Sequence, residues 1–303
     1  ERRLGLWAVV IISISAMLGS GVFVLPGLAV SMTGGSAWLA YGAVAFCILP
    51  AALAKAELAS ALPKSGGTYV YINQAFGPFI GTVMGLGLWA SLMLKSAFAL
   101  VGFSAYLQVL QRDMPEVQVA LGLLCIITAL NLGGIKKVSQ VQSVIVAISL
   151  GGLAALVLVS LPGVKAENLD PFFSNGPIGF GETAAFVFVS FAGLTKVAAI
   201  AGEVKNPGKN IPSAIIISLA LITPLYCLVV FVLSGNVPVE QLRDNIRPIH
   251  TLAEFTMGPV GGTIAAVVAE RVALWRVGEV VFVVTILHPF RHVAGHVEGA
   301  VRA

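Results

Sequence analysis

The chain has 303 residues, 57% of them hydrophobic and 11% charged, with a mean hydropathy of +0.95. Soluble domains carry about 25% charged residues, so a water-soluble globular enzyme is excluded. Apolar stretches recur along the whole length, which also excludes one anchor on a soluble body. A formal net charge of +4 does not point to nucleic acid, because no basic run exceeds two residues.

An apolar stretch starts a few residues after Glu1, behind Arg2 and Arg3. It is too long for a signal-peptide core and ends without a small-residue cleavage site. It reads as the first spanning helix of a chain whose true start lies upstream. A spanning helix needs about 20 apolar residues. The apolar windows predict spans at 5–31, 36–60, 78–108, 117–134, 140–162, 181–202 and 212–234, with an eighth beginning near 258. Short polar connections carrying Gly, Pro and Asn separate them. Two longer connections, 163–180 and 235–257, are read as carrying short interfacial helices. The expected fold class is an all-α polytopic membrane protein. Cys47, Cys125 and Cys227 each sit in a different apolar stretch and read as packing residues.

Charge asymmetry predicts the orientation. With the N-terminus in the cytoplasm, the inside connections hold Arg2, Arg3, Lys55, Lys64, Lys136, Lys137, Lys205 and Lys209. The outside ones hold Arg112, Lys165, Arg243 and Arg247, so eight stand against four, as the positive-inside rule requires.

The first span contains Ala16-Met17-Leu18-Gly19-Ser20-Gly21-Val22-Phe23-Val24-Leu25-Pro26-Gly27. Two glycines flank a serine in mid-membrane, and Pro26 removes a further backbone donor. Unwinding is tolerated in lipid only where protein or a cavity satisfies the freed groups. A break at Gly19–Gly21 offers amides at the start of the outer half-helix, suited to a carboxylate. It also offers carbonyls at the end of the inner half, suited to an ammonium, so an amino acid zwitterion matches both. The same pattern equally suits close helix packing through small residues. Span six, Phe188-Val189-Ser190-Phe191-Ala192-Gly193-Leu194-Thr195-Lys196, carries a second interruption at Gly193. Interrupted spans at corresponding positions of two halves are a pointer to a transporter site built from inverted repeats.

Three ordered motifs carry a resemblance. Gly19-Ser20-Gly21-Val22-Phe23-Val24-Leu25-Pro26-Gly27 resembles the first helix of the amino acid–polyamine–organocation transporters. Lys64-Ser65-Gly66-Gly67-Thr68-Tyr69 is similar to their loop after helix two. Gly202-Glu203-Val204-Lys205-Asn206-Pro207-Gly208-Lys209-Asn210-Ile211-Pro212 is similar to their signature after helix six, and the likeness covers about residues 5–265.

The resemblance implies a five-plus-five inverted-repeat transporter fold with discontinuous helices one and six, here with the second repeat incomplete. A transporter domain over 1–268 would hold a first repeat at about 5–162 and a partial second at about 181–268. It implies substrate contacts at Gly19, Ser20 and Gly21 with Ala16 and Met17 nearby, at Val189, Ala192, Gly193 and Thr195 on helix six, and at Ser91 and Ser96 on helix three. Thr195 stands where relatives for cationic substrates can carry an acid, and Val189 where a large aromatic is often found. The first departure favours neutral substrates and the second a more open pocket. Ser149 stands where some relatives carry a lysine in place of sodium, so that route is closed here.

Lys95 and Lys196 are intramembrane ionisable residues and hence candidates for coupling. The competing role is a lysine bonded to the carbonyls of a broken helix without titrating. The expected function is secondary active transport of amino acids, neutral ones favoured, across the cytoplasmic membrane by alternating access, with a proton as a candidate coupling ion. The partners are the amino acid, the lipid bilayer and that proton, for a monomer or homodimer without cofactor, metal or catalytic cluster. The alternative is a non-transporting amino acid sensor or an inactive truncated permease.

The tail reads differently. Glu270, Arg271, Arg276 and Glu279 fall where the eighth span should be apolar, and each costs up to about 3 kcal/mol on insertion. The expectation is a damaged or foreign reading frame over 269–303. His288, His292 and His296 recur every four residues, as a helical metal site would, but Pro289 and Gly295 disfavour a helix there.

Overall fold

The computed structural model describes residues 2, 4–18, 20–62, 67–110 and 138–263, with isolated positions at 118, 121, 122, 125 and 265. Apart from those positions, the span expected at 117–134 lies outside the described residues. So do the four charges and the three histidines of the tail.

The expected spans map onto helices as follows. Span one is α1 (Leu6–Met17), α2 (Ser20–Phe23) and α3 (Leu25–Thr33). A 3-10 turn, Gly34–Ser36, leads into α4 (Ala37–Ala61), which is span two. Span three lies in α5 (Thr68–Leu110), which bends at Gly77 (φ 85°, ψ 174°) just ahead of Pro78, where the span was expected to begin. Span five is α6 (Val138–Ser160), prolonged by a 3-10 turn over Leu161–Gly163.

Span six is α7 (Gly176–Val187), a 3-10 stretch over Phe188–Thr195, and the single turn α8 (Lys196–Ala199). Span seven is α9 (Pro207–Asn236). It opens with Asn206 in the left-handed region (φ 45°) and Pro207 in the first turn, where a missing N–H costs nothing. The chain then forms α10 (Val239–Leu242) and a helical run over 248–263, which Gly258 interrupts at φ 72°.

Among the described residues four stretches are long and apolar enough to cross a membrane: Leu25–Ala61, Val146–Gly163, Gly176–Ala199 and Pro207–Asn236. The described residues form no β-strand, and the chain is an all-α, multi-pass membrane protein. A single parallel bridge joins Leu4 to Val204. Leu4 N donates to Glu203 O at 3.0 Å and Lys205 N donates to Leu4 O at 2.8 Å, so the start of α1 is fastened to the turn after α8.

The core runs along α9, which packs on α4 and on α1 more extensively than any other two helices pack among the described residues. Tyr41, Tyr226, Phe191 and Met17 are fully buried within it. Both long connections are tied down. Asn175 Nδ2 donates to Met32 O at 2.7 Å and Asn168 Nδ2 to Gly235 O at 2.9 Å, which joins the 163–175 segment to the ends of α3 and α9. In the second connection the Arg247 amide donates to Asn245 Oδ1 at 2.8 Å and Asn245 Nδ2 to Thr251 Oγ1 at 2.8 Å, a side-chain cap on the helical run that follows.

Candidate functional site

α1 ends abruptly. Leu18 leaves helical geometry (φ −58°, ψ 131°) while its amide still bonds Ile14 O at 2.8 Å. α2 is one turn, and Val24 (φ −122°) separates it from α3, with Pro26 in the first turn of α3. The expected break at Gly19–Gly21 therefore needs correction. It opens at Leu18, Gly19 lies outside the described residues, and Gly21 is already helical. A further interruption stands at Val24, because Pro26 has no N–H to continue the preceding turn and instead starts a new helix.

Helix ends leave carbonyls without intrahelical partners, and the bilayer core has no water to take them. Hydroxyls from other helices do so here. Tyr226 on α9 donates to Met17 O at 2.8 Å, and Tyr41 on α4 donates to Gly21 O at 3.0 Å. Ser190 Oγ, from the 3-10 stretch, donates to the same Gly21 oxygen at 3.3 Å. Tyr106 on α5 donates to Phe23 O at 2.7 Å. The three tyrosines are buried. The rings of Tyr41 and Tyr226 meet edge to face at 5.7 Å, and Phe191 packs on Tyr226 at 5.5 Å.

The second break is of another kind. Eight residues, Phe188–Thr195, run as one 3-10 helix, longer than the usual three or four residues. It lies directly against α1. A Cβ on Gly193 would overlap the Ala16–Met17 peptide, and one on Gly21 would stand 2.8 Å from Ser190 Cβ and 2.9 Å from its Cα. Glycine is needed at both positions because the opposing atoms are backbone or stand next to it.

The structure thus brings Ala16 and Met17 against Gly193, and Gly21 against Ser190 of the same 3-10 stretch, which also holds the half-buried Ala192. Gly21 and Gly193 serve close packing, and the break of span one lies just ahead of Gly21, opening at Leu18. Val189 is 45% exposed and stands outside this contact, and Ser91 on α5 is exposed as well. Ser149 is buried on α6. Of Ser20, Lys95, Ser96, Thr195 and Lys196 only the backbone is described, in helical conformation, and their side chains lie outside the described residues.

Two cavities lie elsewhere. One of about 180 Å³, almost wholly apolar, sits beside the second interruption of span one between Phe23, Leu153, Leu156, Ile249 and Met257. Another of about 440 Å³ is lined by Glu167, Asp170, Asn175, Glu240 and Arg243, at the end of α3. Among the described residues no group of three or more His, Cys, Asp or Glu is placed to hold a metal.

Tyr41, Tyr106, Tyr226 and Ser190 were not singled out from the sequence. A signal for the tyrosines exists in it: the chain has five tyrosines, and a phenol hydroxyl inside an apolar window needs an acceptor. A broken helix supplies several.

Comparison with known proteins agrees with this architecture. A family model for amino acid permeases matches residues 4–286. The branched-chain amino acid permease BcaP of Bacillus subtilis is 30% identical over 277 residues, covering 84% of this chain and 59% of that protein. A methylthioribose transporter of the same organism is 29% identical over 262 residues, covering 80% of this chain and 57% of that one. The vacuolar cationic amino acid transporter 8 of Arabidopsis thaliana is 26% identical over 274 residues, covering 85% and 46%. The chain thus spans roughly half to three fifths of the length of these relatives. With a family match over nearly its whole length and the two interrupted spans in contact, the chain belongs to the amino acid permease family.

Proposed function

We propose that the chain is a secondary active transporter of neutral amino acids, working by alternating access across the cytoplasmic membrane with its N-terminus inside. The observation that carries the reading is the meeting of the two interrupted spans, Gly193 against the Ala16–Met17 peptide and Ser190 against Gly21. Half-helix ends of opposite polarity then share one place in the membrane, as a zwitterion requires. Amides at the start of α2 would meet the carboxylate, and carbonyls around the end of α1 the ammonium. Ser20, Ala192 and Thr195 would line the same site, with Ser91 and Ser96 on its α5 side and Val189 at its rim.

In this reading α1–α3, α4, α7–α8 and α9 form the bundle that rocks, and α5 and α6 belong to the scaffold. The bundle helices are those most extensively packed on one another. The repeats would run over about 5–162 and 181–268 within a transporter domain over 1–268. The branched-chain permease among the relatives supports a neutral, aliphatic substrate, as does the threonine at 195. Lys95 and Lys196 are the candidates for proton coupling.

The test is uptake of a labelled mixture of neutral amino acids into proteoliposomes under an imposed pH gradient. Accumulation that collapses with the gradient is expected. A folded protein that accumulates nothing overturns the transport reading, and binding without uptake would make the chain a sensor. Lys95→Gln should flatten the pH dependence of uptake and leave substrate binding intact. Unchanged pH dependence removes Lys95 from the coupling path.

A further inference from the structure

Two buried tyrosine hydroxyls are spent on one short piece of backbone. Tyr226 bonds Met17 O, the last residue of α1, and Tyr41 bonds Gly21 O on the far side of the interruption. The two donors come from different helices, α9 and α4, yet their rings touch each other at 5.7 Å. If these positions needed only apolar bulk, phenylalanine would serve, since a buried hydroxyl is costly unless bonded. Both rings are fully buried, so each hydroxyl needs an acceptor inside the protein, and these carbonyls supply one.

We propose that Tyr41 and Tyr226 are positioning residues of the substrate site, a two-point clamp that fixes the backbone between Met17 and Gly21 and so sets the direction of the groups offered to the substrate. The inference rests on the transporter reading and deepens it. Neither tyrosine need touch the substrate. Among the described residues the α4–α9 pair is the most extensively packed, which makes it a stiff frame for the clamp. Ser190 shares the Gly21 oxygen, so the clamp also reaches the second interrupted span. Because the two hydroxyls hold the two ends of one segment, removing either loosens it, and their effects will not add.

The experiment compares wild type with Tyr41→Phe, Tyr226→Phe and the double variant, all of which keep the rings. Labelled L-leucine uptake into proteoliposomes is measured alongside hydrogen exchange of peptides covering residues 14–24 and 138–160. Each single variant should raise KM about tenfold, the factor associated with one lost hydrogen bond, with the maximal rate nearly unchanged. Exchange should rise over 14–24 and stay constant over 138–160, and the double variant should be no worse than the more damaging single one. Tyr71→Phe, whose hydroxyl stands 3.5 Å from Ala198 O, should leave KM unchanged.

Wild-type KM in both single variants overturns the proposal, as does an additive double variant. If wild type takes up no leucine, the labelled mixture of neutral amino acids decides the transporter reading separately. Exchange over 14–24 then decides the clamp: faster exchange in the variants sustains it, and equal exchange overturns it.

Discussion

The two interrupted spans meet the same demand in different ways. Span one breaks sharply at Leu18 and again at Val24, and its carbonyls are taken by hydroxyls from α4, α5, α9 and the 3-10 stretch. Span six never opens so sharply. Between Phe188 and Thr195 it tightens into a 3-10 helix, whose i→i+3 bonds satisfy its own backbone. One break is held from outside and the other from within. The first is therefore sensitive to distant side chains, and the second to what its own backbone can approach.

The contact between them is where that comparison breaks most easily. Gly193→Ala puts a methyl into the Ala16–Met17 peptide, and backbone cannot step aside as a side chain can. We expect loss of uptake and destabilisation at the upper end of the roughly 1–3 kcal/mol typical of overpacking, read by thermal melting of the purified protein. Gly21→Ala is next, at about 2 kcal/mol, since its methyl meets Ser190 Cβ at 2.8 Å. Adding Ser190→Gly should restore part of that loss, whereas Ser190→Ala, which keeps the Cβ, should restore none.

Tyr106→Phe tests the outside-held break at its second interruption. It orphans Phe23 O and should cost about 1 kcal/mol, with the edge-to-face contact of the Phe23 ring retained. A loss as large as that of Gly193→Ala would mean that span one depends on its external donors more than on its packing.

Much of this architecture is legible in the sequence. Span boundaries at α4, α6 and α9 follow from apolar length alone, and the bend at Gly77 from a Gly–Pro step. The interruptions are legible because Gly19, Gly21, Pro26 and Gly193 weaken a helix wherever they stand. Their exact form is not. α1 ends at Met17, whose carbonyl accepts from Tyr226 on α9, some 200 residues along. No local pattern carries a bond of that range. Ser91 and Val189, which the family resemblance assigns to the site, are both exposed, and local pattern does not set that either.

The smallest effect expected lies in the 235–257 connection. Burial pushes the His250 imidazole below its ordinary value, with Arg247 acting in the same direction and Glu254, 3.7 Å away, opposing both. A depressed histidine favours the neutral form in the folded state. As pH falls below about 6.5 the unfolded chain takes up a proton that the folded one does not, and stability declines until the lower folded value is passed. Thermal melts of wild type between about pH 7.5 and 5.5 should show a shallow decline that His250→Gln removes. A decline of equal slope in the variant would assign it to another group.

The short bridge between Leu4 and Val204 bears on all of this. α1 is a rod of 12 residues, about 18 Å long. At one end it is pinned to the strand-like turn beyond α8, and at the other it lies on Gly193. Held against its neighbour at both ends, such a rod has little room to slide along it or swing away from it. The two interrupted spans are therefore expected to move as one plate, so that a pull on residue 4 should be felt at residue 193.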